Sequence, residues 1–476
     1  MTRMAADDQI RDAAEEEDAE IRDEEGRLVA EFVDDVAEAI GANDAERVRE
    51  LAADLHESDL GDLIETLEQD DRPKLVELLG KDFDFTALTE IDETVRVQLL
   101  EELPPETVAE GVRELDSDDA VYILEDLDEA GRARILEQIP APERIALTRS
   151  LDYPEDSAGR RMQTEFVAAP EFWTVGHTID YIADARELPD TFYEVFVVDP
   201  TYKLVGSVPL DRLLRSRRSK LLSEILEEDP RTIEATEDQE SAARTFERYN
   251  LVSCAVVDEN ERLVGVLMVD DIVDVIEEEA DEDLRALGGV TSDEEISDPV
   301  IYTARSRIPW LLVNLATAFF SASVIGLFEA TIEQMVALAV LMPIVASMGG
   351  NAGTQTMTVA VRALATQEIG GHNARRLVRR ETLVGLANGA ALAIVVALIA
   401  GLWFKNAQLG VIIGCAMVVN LVCAGLFGIL IPLGLDKLKA DPAVSSGVFL
   451  TTVTDTVGFF AFLGLATWWF GLGGPS

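Results

Sequence analysis

The chain has 476 residues, with 90 Asp and Glu against 39 Lys and Arg, for a net charge of −51. That length allows two or three domains, and so negative a surface excludes nucleic acid as a partner, because it repels phosphate rather than neutralising it. Three cysteines with no CxxC pair and only three histidines argue against a disulfide framework, a zinc site and histidine-based catalysis.

The charge is unevenly spread. Residues 1–300 carry 83 acidic and 29 basic side chains, whereas 301–476 carry 7 and 10. Arg outnumbers Lys 32 to 7. Dense surface carboxylate with little lysine predicts a halophilic protein, since concentrated salt screens repulsion between like charges. The alternative is that the acid serves only to sense divalent cations.

Residues 1–27 form an acidic tail too poor in large apolar residues to fold. It lacks a basic segment followed by an apolar one, which predicts no signal peptide. From 28 to about 158 the pattern is helical, with Leu, Ile and Val at steps of three and four. The phrases LPPETVAEGV, LDSDDAVYIL and LDEAGRARIL recur at 12–13-residue spacing, each a turn leading into a short helix. A small α-solenoid is the expectation, its neighbours burying each other's apolar stripes.

Between about 159 and 276 the chain turns to mixed α/β and repeats itself. VFVVDPTYKLVGSVPLDRLL (195–214) matches CAVVDENERLVGVLMVDDIV (254–273) at an offset of 59. Each copy reads as strand, tight turn, strand through LVG, then a helix capped by Asp211 or Asp270. The duplicated LVGxxxxD pattern resembles a tandem pair of CBS domains, modules that often bind adenine nucleotides or act as gates. ATP is accordingly a ligand to test, with no binding residue assigned.

An acidic helix follows. Eight carboxylates lie between Asp271 and Asp283. Asp271, Asp274, Glu278 and Glu282 share one side, and Glu279 and Asp283 form a second row. Like charges at these steps cost a few tenths of a kcal/mol per pair, and hard divalent ions prefer such oxygen ligands. The plain alternative is a solvated face in a protein that is acidic throughout. The position of the helix, between the repeats and the first apolar stretch, favours a switch that cations draw closed.

Five uncharged stretches come next: Ile308–Phe328, Met335–Val361, Thr382–Phe404, Asn406–Leu435 and Pro442–Ser476, the last broken only by Asp455. Each reaches the roughly 20 residues that cross a bilayer. Arg375, Arg376, Arg379, Arg380, Lys437 and Lys439 occupy the loops after spans two and four, which places the first 300 residues in the cytoplasm and the C-terminus outside. A carboxylate at bilayer depth costs about 2.5–3.5 kcal/mol, so Asp455 predicts a water-filled path, a partner charge or a cation. In span two, GGNAGTQ supplies backbone at Gly350 and Gly353 and neutral oxygen at Asn351, Thr354 and Gln355. The same residues contain a GxxxG helix-packing motif, Gly349 to Gly353, and that reading stays open. Mg²⁺ keeps its waters and is bound through one or two carboxylates, so Asp455 flanked by Thr451, Thr452 and Thr454 suits a hydrated ion. Asn314, Asn388 and Asn420 read as packing groups rather than ligands.

PEDSAGRRM (154–162), the repeats, DDIVDVIEEEADED, RIPWLL (307–312), GGNAGTQ with RALAT (349–366) and DPAVSSG…TTVTD (441–455) together resemble the MgtE-type magnesium channel/transporter family. The resemblance implies a multidomain membrane protein that works as a homodimer. Its parts would be an acidic tail (1–27), an α-helical N domain (28–158), tandem α/β CBS domains (159–276), a connecting plug helix (277–304) and a five-helix transmembrane domain (305–476). It implies that Asp455 binds hydrated Mg²⁺ in the pore, with Asn351, Gly350, Gly353 and Thr451 beside it. Asp271, Asp274, Glu279, Glu282, Asp283 and Asp238 would be regulatory metal sites. Cytosolic Mg²⁺ would then close a passive uptake path. Gly447, Val448 and Asn250 depart from the family's usual pattern. Two other readings are the same fold conducting Co²⁺ or Mn²⁺, and a membrane-tethered sensor for which Asp455 is dispensable. An enzyme is the weakest reading, since there is no GxxxxGK[ST], no GxSxG and no His/Asp pair.

Overall fold

The structure is a computed structural model that describes residues 21–23, 26–185, 188–189, 191–290, 300–366, 373–439 and 442–471, the side chains of 444 and 445 excepted. The expected tail over 1–27 lies almost wholly outside these residues, as does 291–299 of the connecting segment. The chain divides into two compact units, residues 1–277 and 278–476, each described by itself.

The first unit opens with short helices: α1 (Ala30–Gly41), α2 (Ala45–Ala52), α3 (Glu57–Thr66), α4 (Arg72–Leu79), α5 (Glu93–Glu102), α6 (Pro105–Val112), α7 (Ser117–Glu125), α8 (Glu129–Gln138) and α9 (Ala141–Leu151). The last four begin exactly one period of 12 residues apart, at 105, 117, 129 and 141. Each start has a local cause. Pro105 and Pro142 sit in first turns, where a missing N–H costs nothing, and Asp128 accepts a bond from the Gly131 amide at 2.6 Å. Leu63, Leu79, Leu88, Leu99, Ile123 and Leu124 are fully enclosed between these helices. Arg96 is buried among them, paired with Asp126 at 2.7 Å, bonded to the carbonyls of Leu88 and Ile91, and stacked on Tyr122.

The repeats form two small sheets. In one, β1 (Ala168–Pro170) pairs parallel with β2 (Glu194–Val198), β2 antiparallel with β3 (Leu204–Pro209), and β3 with β4 (Glu227–Glu228). Between these strands lie α10 (Val175–Asp184) and α11 (Leu210–Arg215). In the other, β5 (Thr232–Glu234) pairs parallel with β6 (Ser253–Val257), and β6 antiparallel with β7 (Leu263–Met268), with α12 (Gln239–Tyr249) between β5 and β6.

The offset of 59 holds in detail. The register irregularity at Val197/Val198 recurs at Val256/Val257, and the left-handed Tyr202 recurs as Glu261. Asp199 closes the first turn by accepting from Thr201 and from the Lys203 amide, and these bonds hold its carboxyl below the usual range. Asp258 does the same from Asn260 and Arg262.

One local expectation needs correction. Asp211 and Asp270 do not cap their helices. α11 and α13 (Val269–Gly288) start directly off the preceding strands, which leaves each Asp in the first helical turn, where it complements the helix dipole.

The second unit contains the end of α13, then α14 (Val300–Gly326), the short α15 (Glu329–Gln334), α16 (Ala337–Ala365), α17 (Ala374–Trp403), α18 (Ala407–Lys437) and α19 (Pro442–Phe470). Five of these are long and apolar enough to cross a membrane. The first begins at Val300, ahead of the uncharged stretch at Ile308, because Arg305 and Arg307 are already helical. α18 is the central helix, two-thirds buried where α14 is almost bare. It lies so close to α17 that a methyl at Gly410 or Gly425 would stand 2.4 or 2.5 Å from the carbonyls of Ala397 and Glu381.

Candidate ion path and acidic switch

Asp455 lies in the middle of α19, half-buried, and makes no hydrogen bond or ion pair among the described residues. Its hydroxyl neighbours are committed to their own helix. Thr451 donates to the Gly447 carbonyl at 3.0 Å, Thr452 to Val448 at 2.6 Å and Thr454 to Thr451 at 3.1 Å. Each keeps its acceptor lone pairs, so the surroundings of Asp455 can bind the waters of an ion but supply no counter-charge.

On α16 the polar residues divide by face. Asn351, Thr354, Gln355 and Thr358 are exposed along one edge, an unusual surface for a membrane helix. Gly350 has open space where a side chain would be. Gly349 and Gly353 are buried, the first against Asn420 of α18 and the second against Leu450 of α19. Both glycines of the GxxxG motif therefore pack inside the chain.

The acids expected to be regulatory fall on two elements. Asp238 caps α12, accepting from the Ser241 amide at 3.2 Å, and Asn250 ends that helix in the left-handed conformation that Asn tolerates. Asp271, Asp274, Glu279, Glu282 and Asp283 lie along α13.

Asp271 meets an acidic neighbour from the N domain. Its Oδ2 is enclosed and accepts no hydrogen bond. Burial, then the charge of Asp271, holds the Asp118 carboxyl of α7 well above its usual range, and Asp271 is raised in turn by burial and Asp270. Asp119 is pushed up to about 7 by burial and by Asp116. Around this cluster α7 is tied to the stretch before β1. The Ser117 hydroxyl lies 2.7 Å from the Thr164 amide that donates to it, and Arg160 is 3.6 Å from Glu125. Among the described residues no group of three His, Cys, Asp or Glu side chains is placed to hold a metal ion.

Sequence matches agree with this layout. The family described as divalent cation transporter matches residues 342–465, the MgtE intracellular N domain matches 55–156, and the CBS domain matches 222–278. The magnesium transporter MgtE of Enterococcus faecalis is 36% identical over 421 residues, 88% of this chain and 93% of that one. The chain belongs to the MgtE family. The MgtE of Thermus thermophilus is 31% identical over 90% of this chain and 96% of its own. A solved cytosolic domain of the Mg²⁺ channel MgtE in complex with ATP is 29% identical, with a TM-score of 0.48, and covers 51% of this chain and 99% of that one.

Within this MgtE fold, reading the sequence alone overlooked Asp118 and Asp119. LDSDDAVYIL was read only as a helix start, and nothing local shows that its acids face Asp271, some 150 residues later.

Proposed function

We propose that this chain conducts Mg²⁺ passively into the cell, down the membrane potential, and that cytosolic Mg²⁺ closes the path. Asp455 carries the reading: a half-buried carboxylate with no partner among the described residues has a reason to be in a membrane helix if a hydrated cation passes it. The potential supplies about 2.3 kcal/mol per charge per 100 mV, doubled for a divalent ion. The exposed polar edge of α16 supports a homodimer in which Asn351, Gly350 and Thr451 line the path with Asp455, while Gly353 sets helix spacing. The first 300 residues would face the cytoplasm and the C-terminus the outside.

Mg²⁺ held through its waters at Asp271, Asp274, Glu279, Glu282, Asp283 and Asp238 would offset their mutual repulsion and favour the closed form. The Asp118–Asp271 pair supports this reading, because a divalent cation relieves the same repulsion that protonation does. A nucleotide at the CBS pair is a separate expectation. A cleft there is lined by Tyr153, Thr236, Glu234, Asp258 and Glu259, so phosphates would need an intervening cation.

The test is Mg²⁺ uptake into liposomes by wild type and Asp455→Asn. Flux lost with normal folding is the expected result. Undiminished flux would remove Asp455 from the path, and a wild type that conducts under no condition would leave the tethered-sensor reading. Competition by Co²⁺ and Mn²⁺ in the same assay reads selectivity.

A further inference from the structure

Asn420 is the most enclosed polar side chain of the membrane unit that a neighbouring helix holds directly. It is fully buried in the middle of α18. Its Nδ2 donates to the Val345 carbonyl of α16 at 2.8 Å, and its Oδ1 accepts no hydrogen bond. The carboxamide fills a notch made by two glycines on two other helices. A methyl at Gly349 of α16 would stand 2.2 Å from Nδ2, and one at Gly458 of α19 would stand 2.7 Å away.

A buried acceptor left unpaired is costly, above all where no bulk water reaches it. A leucine of similar bulk would fill space without that cost, so the amide has a use beyond filling. Gly349 lies two residues before Asn351, and Gly458 lies three residues after Asp455. One side chain thus touches both helices of the path within a turn of their polar groups, and it is mounted on the helix most closely packed against α17.

We propose that Asn420 is a positioning residue that fixes the register between Asn351 on α16 and Asp455 on α19, and so sets the spacing into which the hydrated ion fits. The hydrogen bond fixes α16 along its axis, and the flat amide between two glycines fixes how closely α16 and α19 approach. The proposal rests on the reading of Asp455 as the carboxylate of the path. A hydrated ion held through water-mediated bonds senses shifts of an ångström or less, so losing the lock changes affinity before it changes folding.

The experiment measures Mg²⁺ uptake by the full chain in liposomes, normalised to folded protein, for Asn420→Leu, Asn420→Ala, Gly349→Ala and the Gly349→Ala/Asn420→Ala pair. Each single variant is expected to raise the half-saturating Mg²⁺ about tenfold and to weaken discrimination against Co²⁺. A merely structural role would lower the yield of folded protein and leave half-saturation and selectivity unchanged, and that result overturns the proposal. The pair is expected to be no worse than Gly349→Ala alone, since both changes act on one contact; additive losses overturn the shared notch. Should the Asn420 variants fail to insert, Gly349→Ala and Gly458→Ala press the same notch from its other walls, and unchanged affinity in both overturns the proposal. Asp455→Asn is run beside them. Undiminished flux there removes the path reading and this proposal with it, whereas flux lost there and unchanged in the Asn420 variants overturns this proposal alone.

Discussion

At the scale of single residues, the two acidic features of this protein respond to opposite conditions. Asp455 has no hydrogen-bond or ion-pair partner among the described residues, so its replacement by Asn is expected to abolish Mg²⁺ flux while leaving the melting transition in detergent nearly unchanged. Asp119 behaves differently, because burial pushes its carboxyl up to about 7. A carboxyl whose folded value exceeds its unfolded one binds more protons when folded, so its contribution to stability falls as pH rises. The window runs from the ordinary value of 3.8 to about 7. Without divalent cations the full chain is therefore expected to melt at a higher temperature at pH 5.5 than at pH 7.5. Asp119→Asn should shrink that difference, and thermal melting at the two pH values measures it. An unchanged difference would show that Asp119 does not govern the acid cluster.

At the scale of elements, the N domain rests on helix starts and the membrane unit on close approach. The Asp128 cap of α8 satisfies an N–H that the helix cannot, and Asp128→Ala is expected to cost about 1 kcal/mol, read by denaturant unfolding. In α18 the cost is steric. Gly425→Leu would drive a side chain into the backbone of α17 at Glu381, and a large loss of folded protein in detergent is expected, whereas Gly350→Ala, which meets nothing, should fold normally. Near the end of α13, Ala286 is buried with Met357, Val361 and Leu450 of the membrane unit.

For the whole molecule, the governing quantity is the net charge of −51. Self-repulsion of that size destabilises a compact state unless ions screen it, and the Debye length falls from about 8 Å at physiological ionic strength to about 3 Å at 1 M. The melting temperature is expected to rise steeply between 0.15 and 2 M KCl, with no comparable rise in an uncharged osmolyte. Millimolar Mg²⁺ at low salt should recover part of the stability if the acidic surfaces bind it at defined places, and equal recovery by monovalent ions at the same ionic strength would show that only screening is at work.

Much of this protein was legible in the order of its residues because the relevant physics is local or periodic. Apolar length marks the membrane helices, a 12-residue rhythm marks the starts of α6 to α9, and the 59-residue repeat recurs down to its bulges and left-handed turn residues, since each depends on near neighbours in the chain. Asp455 stood out for a similar reason, as a charge where its surroundings forbid one. What tertiary structure alone decided is which distant groups meet. Asp271 raises the proton affinity of Asp118 only because the fold brings α13 close to α7. Gly349 of the GxxxG motif packs against Asn420, and Asn420, which the sequence marked as one packing amide among three, contacts both α16 and α19. Contacts between residues far apart in sequence leave no periodic trace, so burial and hydrogen-bond partners can be read only once the helices are assembled.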